Sequence, residues 1–154
     1  MTTLAAIRPD SVNFPLFLHV LGAMILVGGL TASAGLVGFA RDEARLLRFG
    51  YWSLVAVSLP GWILMRVGAE WVYSREGWDD LPSGFDYPTW LDLGRIVADA
   101  GGVVLLVSLI VGAVGLRRLG QGKGTRLLRV TLILSALLLV AYVVAVWAMS
   151  GKPS

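Results

Sequence analysis

The chain has 154 residues, 56% of them hydrophobic and only 15% charged, which excludes an ordinary soluble domain of this size and predicts a membrane protein. The formal net charge of +3 does not point to nucleic acid, because Lys and Arg gather in short segments between apolar runs. The chain contains no cysteine, so disulfides, thiolate metal sites and thiol redox chemistry are excluded.

Four apolar runs span about 14–40, 50–74, 91–116 and 127–149, each longer than the roughly 20 residues a helix needs to cross hydrocarbon. They predict an all-α, polytopic membrane protein: one domain over 1–154, built as a four-helix bundle of antiparallel transmembrane helices in a lipid bilayer.

Helix one begins near Pro15, which the apolar run places in the first turn, where its missing N–H does no harm. Ala32, Ser33 and Ala34 imitate a signal-peptide cleavage site, but Arg8 is offset by Asp10 and the apolar run continues through Leu36 and Phe39. The run is therefore read as a spanning helix. His19, the only histidine, lies a little over one turn into it. Gly22, Gly28, Gly29, Ala32, Ser33 and Gly35 permit close helix approach, as do Gly94, Ala98, Gly101, Gly102, Gly112 and Gly115 of helix three. Packing of helices one and three on each other is expected, with self-association as a homo-oligomer through these faces as the alternative.

The first link carries Arg41, Arg45 and Arg48 beside Asp42 and Glu43, and the third carries Arg117, Arg118, Lys123, Arg126 and Arg129 without an acid. The second link is acidic, with Glu76, Asp79, Asp80 and Asp86. The positive-inside bias then places both termini and the acidic link outside a bacterial inner membrane. Trp71, Trp78, Trp90, Tyr73, Tyr87 and Trp147 mark the outer boundary, and Trp52 the inner one.

In helix two, Pro60 and Gly61 predict a kink that frees a carbonyl near the charges above it. Those charges are Arg66 and Glu70, and helix three answers with Arg95 and Asp99. If 75–90 form the turn, positions 66 and 99 share one depth and 70 and 95 another. Arg66–Asp99 and Glu70–Arg95 pairs are expected across the hairpin, with Arg66–Glu70 and Arg95–Asp99 along each helix. A charge in a bilayer costs roughly 2.5–3.5 kcal/mol on insertion scales, so such groups pair, face inward and mark a functional place. Thr89 and Asp92 predict a capping box after Pro88. The 120–125 link is glycine-rich but lacks the G-K-[ST] ending of a phosphate loop, and reads as a turn.

His19, Arg66, Glu70, Arg95, Asp99 and Tyr142 fall at similar depth, and Met149 approaches it from helix four. Three readings fit. His19 offers a nitrogen to haem b or to a metal ion, with Met149, Tyr142, another Met, a carboxylate or a partner subunit as second ligand. His19, Glu70 and Asp99 also suit a small proton or ion transporter or channel. The third reading is a non-enzymatic scaffold or accessory subunit in which the charges lock the hairpin register. No nucleophile–base pair or metal triad is visible to support catalysis.

Leu18-His19-Val20-Leu21-Gly22-Ala23 followed by Val27-Gly28-Gly29-Leu30 resembles a family of predicted bacterial integral membrane proteins. That family is similar to the copper-resistance D proteins and to the membrane-type protoporphyrinogen oxidases. Ser58-Leu59-Pro60-Gly61 resembles their second helix. The resemblance implies a four-helix membrane fold with His19 as a haem or copper ligand, and assigns no role to the four charges.

Overall fold

A computed structural model describes residues 10–40, 43–82 and 86–151; Arg8, Arg41 and Asp42, named above, lie outside them. Four long helices account for nearly all of the described chain: α1 (Asp10–Phe39), α2 (Ala44–Arg75), α3 (Thr89–Leu119) and α4 (Thr125–Gly151). All four are long and apolar enough to cross a membrane, and there is no strand among the described residues. The protein is an all-α, multi-pass membrane protein. Uninterrupted helix is what such sequences form in lipid, because only intrahelical bonds satisfy the backbone there.

The α2–α3 link starts with Gly77 at φ 74°, a left-handed residue that closes the helix end, and continues through a single 3-10 turn at Trp78–Asp80. Gly122 at φ 70° turns the much shorter α3–α4 link. The two ends of the bundle are called here the acidic-link end and the arginine end.

The helices are arranged in the order α2, α1, α4, α3, so that α1 packs on α2 and α4, and α4 packs on α3, while α2 and α3 meet in few places. This corrects the expectation that α1 and α3 pack through their small residues. Instead a Cβ at Gly22 would strike the backbone of Met65, and one at Gly29 would strike Ser58, both in α2. The α3 glycines receive side chains: Met149 at Gly94, Tyr142 at Gly101, Trp62 at Gly102 and Tyr51 at Gly112. Glycine marks where something comes close, but does not say which neighbour it is.

The interior holds one apolar cluster around Leu26, Leu30, Leu54, Leu105 and Leu138, and a second around Leu47, Tyr51, Leu128 and Leu132 toward the arginine end. Hydrogen bonds from polar side chains join each packed helix pair. The Nδ1–H of His19 donates to Met65 O at 3.0 Å and Ser53 to Gly29 O at 2.9 Å, both between α1 and α2. Ser33 and Ser135 meet at 3.0 Å between α1 and α4, and Thr131 shares its hydroxyl with Ser108 O of α3 at 3.3 Å. Trp62 donates to Ala98 O at 3.1 Å across the α2–α3 seam. Bonds of this kind average about 0.6 kcal/mol in membrane proteins, so they orient helices that van der Waals packing holds together.

Three local expectations are corrected. Helix α1 starts at Asp10, so Pro15 lies in its second turn; Ser11 and Asn13 continue the helix as polar residues without an apolar signal. Pro88, extended at φ −57° and ψ 136°, caps α3 without a side-chain bond, which makes Thr89 helical and leaves no Thr89–Asp92 capping box. In α2 a π turn over Leu54–Ser58 precedes Pro60, with Leu59 N–H bonded to Leu54 O. Insertion of this wide turn relieves the ladder where proline has no N–H. The carbonyl Pro60 would otherwise engage is that of Ala56, about 15 Å along the helix from Arg66 and not beside it.

Candidate functional site

The polar residues nearest the acidic-link end form two groups, set by which helix faces which. The first lies on the α2–α3 seam. Arg66 reaches Asp99 of α3 at 2.9 Å and Glu70, one turn along its own helix, at 2.8 Å. Arg66 is only 26% exposed, whereas Glu70 and Asp99 are 58% and 57% exposed. The guanidinium is therefore sunk in the seam and both carboxylates lie on its rim.

Arg95 departs from the expected four-membered cluster. Among the described residues it forms no ion pair with Glu70 or Asp99; it stands over the Tyr73 ring at 5.1 Å, with Nη1 3.5 Å from the Tyr73 hydroxyl. Tyr73 is held in turn by Tyr87 at 3.0 Å and by Trp78 O at 3.3 Å. Tyr73, at the end of α2 and held by the link residues Trp78 and Tyr87, thus supplies a cation–π surface that takes Arg95 away from the carboxylates. The cluster is also not buried within the chain, contrary to expectation: Glu70, Arg95 and Asp99 are exposed, and α2 and α3 meet in few places.

Beneath the triad, Trp62 lies on Gly102 and Tyr142 on Gly101. Tyr142 is 4% exposed and, among the described residues, its hydroxyl has no hydrogen-bond partner, as is also true of the buried Ser58 hydroxyl. Trp62 is a site residue that sequence reasoning missed. Its position one turn before Arg66, facing a Gly-Gly pair of α3, is the signal that would have found it.

The second group lies between α1 and α2. His19 sits where a Cβ at Gly68 would collide with its backbone, so α1 and α2 touch there. A carbonyl only accepts, so the bond to Met65 O requires the proton on Nδ1, and the neutral imidazole then carries its lone pair on Nε2. No hydrogen bond joins His19 to Tyr142 or Met149, which instead pack on α3. The expected single cluster is therefore two separate groups. Among the described residues no three His, Asp or Glu side chains converge as a metal site would need. An open surface depression lined by Tyr87, Asp92, Arg95, Ile96, Asp99 and Ala100 adjoins the first group.

No family model, no curated protein and no solved structure matches this chain.

Proposed function

We propose that the protein binds a prosthetic group through His19, haem b before a metal ion, in a bacterial inner membrane with both termini and the acidic link outside. One observation carries this reading: the Nδ1–H bond to Met65 O fixes the tautomer that offers Nε2 as an electron-pair donor. Ligating histidines are commonly oriented in this way by a carbonyl on the other ring nitrogen. Haem comes before a bare ion because the porphyrin brings four nitrogens of its own and needs one axial imidazole, whereas an ion would need several protein ligands near His19. Met149 and Tyr142 pack on α3, so a second ligand would have to come from a small molecule or another subunit.

The contact of α1 with α2 at Gly22 and Gly68 is too close to admit a porphyrin between them. His19 would therefore hold the group from outside that contact, and when bound the group would supply electron transfer or gas-ligand chemistry.

A second reading, an accessory scaffold without cofactor, is favoured by the Arg66–Asp99 bridge, which joins two helices that otherwise meet in few places. The absorption spectrum of detergent-purified protein from haem-replete cells, oxidised and then dithionite-reduced, separates the two. A Soret band lost in His19→Ala is the expected result. A colourless, metal-free wild-type protein overturns the proposal and leaves the scaffold.

A further inference from the structure

The α2–α3 seam leaves a charge pattern that the chain does not complete by itself. Arg66 serves two carboxylates, so Arg66, Glu70 and Asp99 together carry one net negative charge. Arg95 is exposed, and among the described residues it has an aromatic partner but no acidic one. Glu70 lies just over one turn below the end of α2 at Arg75, and Arg95 just under two turns below the start of α3 at Thr89. At 1.5 Å per residue those depths are about 8 and 9 Å.

We propose that a second copy of this chain docks on this seam in a two-fold dimer, where Glu70 of each protomer pairs with Arg95 of the other. A two-fold axis along the membrane normal keeps every residue at its own depth. An isologous contact therefore joins two different residues only if their depths agree, as those of Glu70 and Arg95 do. Charge complementarity supplies the direction, since each copy presents the exposed Glu70 carboxylate and, at the same depth, the exposed Arg95 guanidinium, which has no acidic partner among the described residues. Left against lipid, half-exposed charges at this depth would be costly.

The surrounding surface suits the same occupant. Val67 is 53% exposed and Ile96 63% exposed, one turn from Glu70 and Asp99 on the outward faces of α2 and α3. Most helix glycines are already met by neighbouring helices within the bundle, so at the seam it is complementary charge that would bring two copies together.

Because the chain has no cysteine, one introduced thiol on each of two differently tagged, co-expressed copies reports the interface. Val67→Cys in one copy with Ile96→Cys in the other, oxidised in native membranes, is expected to give at least about tenfold more cross-linked dimer than Val67→Cys with Ile133→Cys. Equal cross-linking of the two combinations overturns the proposal. With E70R in both copies, or R95E in both, the cross-link between Val67→Cys and Ile96→Cys is expected to fall about tenfold, the change that 1.4 kcal/mol makes in an equilibrium constant. E70R in the Val67→Cys copy with R95E in the Ile96→Cys copy should restore it, since each charge then meets its opposite. That mixture also controls for folding, because restoration requires both chains to be folded. Restoration overturns a misfolding account, while variants that stay folded by size-exclusion profile yet show no heterodimer overturn the charge exchange. Loss of cross-linking on removal of anionic lipid, with E70R and R95E unaffected, would assign the charges to headgroups and also overturn it.

Discussion

Nη2 of Arg66 lies 2.9 Å from Oδ1 of Asp99, which makes this pair an ionic link between two helices that meet in few places. Asp99 is more than half exposed and Arg66 mostly covered, so the two single losses are unequal. Asp99→Asn keeps Arg66 on Glu70 and is expected to cost no more than about 1 kcal/mol. Arg66→Gln leaves two carboxylates on one rim with no partner and is expected to cost more. The exchanged variant R66D/D99R should recover part of the loss, with a coupling energy of about 0.5–1.5 kcal/mol in a double-mutant cycle. Reversible unfolding in mixed micelles measures it, and a coupling energy of zero would remove the pair from the fold's stability.

The α1–α2 contact makes a second expectation, based on steric contact and not charge. A Cβ at Gly22 meets the Met65 backbone, and one at Gly61 meets the backbone of Ile25 and Leu26, where no flexible side chain can yield. Gly22→Ala and Gly61→Ala should each destabilise by about 1–3 kcal/mol, the range of overpacked cores. Gly28 and Gly35 meet nothing within 4 Å. Gly28→Ala and Gly35→Ala should be neutral or stabilising by up to about 1 kcal/mol through helix propensity. Self-association through a Gly28–Gly35 face would reverse that sign, and sedimentation of the two alanine variants would show it.

Some of this was legible in the chain and some was not, for physical reasons. Helix number follows from hydrophobic length alone, because a bilayer admits few alternatives, but the ends do not: α1 starts at Asp10 and α2 at Ala44, in polar residues ahead of the apolar runs. The Arg66–Asp99 and Arg66–Glu70 distances match the counting of depth and of helical turns. Depth does not set azimuth, however, so Glu70 and Arg95 share a level without touching, and Tyr73 captures the arginine. Helix order is equally hidden, since Gly22 declares a close approach without naming Met65. The π turn before Pro60 has no signal in hydropathy, which cannot tell five-residue from four-residue hydrogen bonding.

The serine pairs test how much the polar contacts between helices are worth. Ser33 and Ser135 meet at 3.0 Å in a fully buried contact, whereas the Ser58 hydroxyl is buried with no partner. Ser135→Ala is expected to cost about 0.6 kcal/mol, the average for such bonds in membrane proteins. Ser58→Ala removes an unpaired hydroxyl and should cost nothing or stabilise. An equal loss at both sites, read as unfolding midpoints, would mean that volume and not hydrogen bonding sets the cost.

Tyr142 extends the same reasoning to the candidate site. Its ring fills the space over Gly101 and its hydroxyl is buried without a partner beside Trp62. A buried polar group left unsatisfied costs roughly 1–3 kcal/mol, so Tyr142→Phe keeps the packing and removes the penalty. The expected result is an unfolding midpoint that rises by an amount equivalent to about 1 kcal/mol, with Tyr142→Ala falling because the ring is lost. A fall in Tyr142→Phe would show that the hydroxyl is satisfied in the membrane by water or a ligand, and the space between Trp62, Gly101 and the Arg66–Asp99 pair would then be a binding niche and not a packing defect.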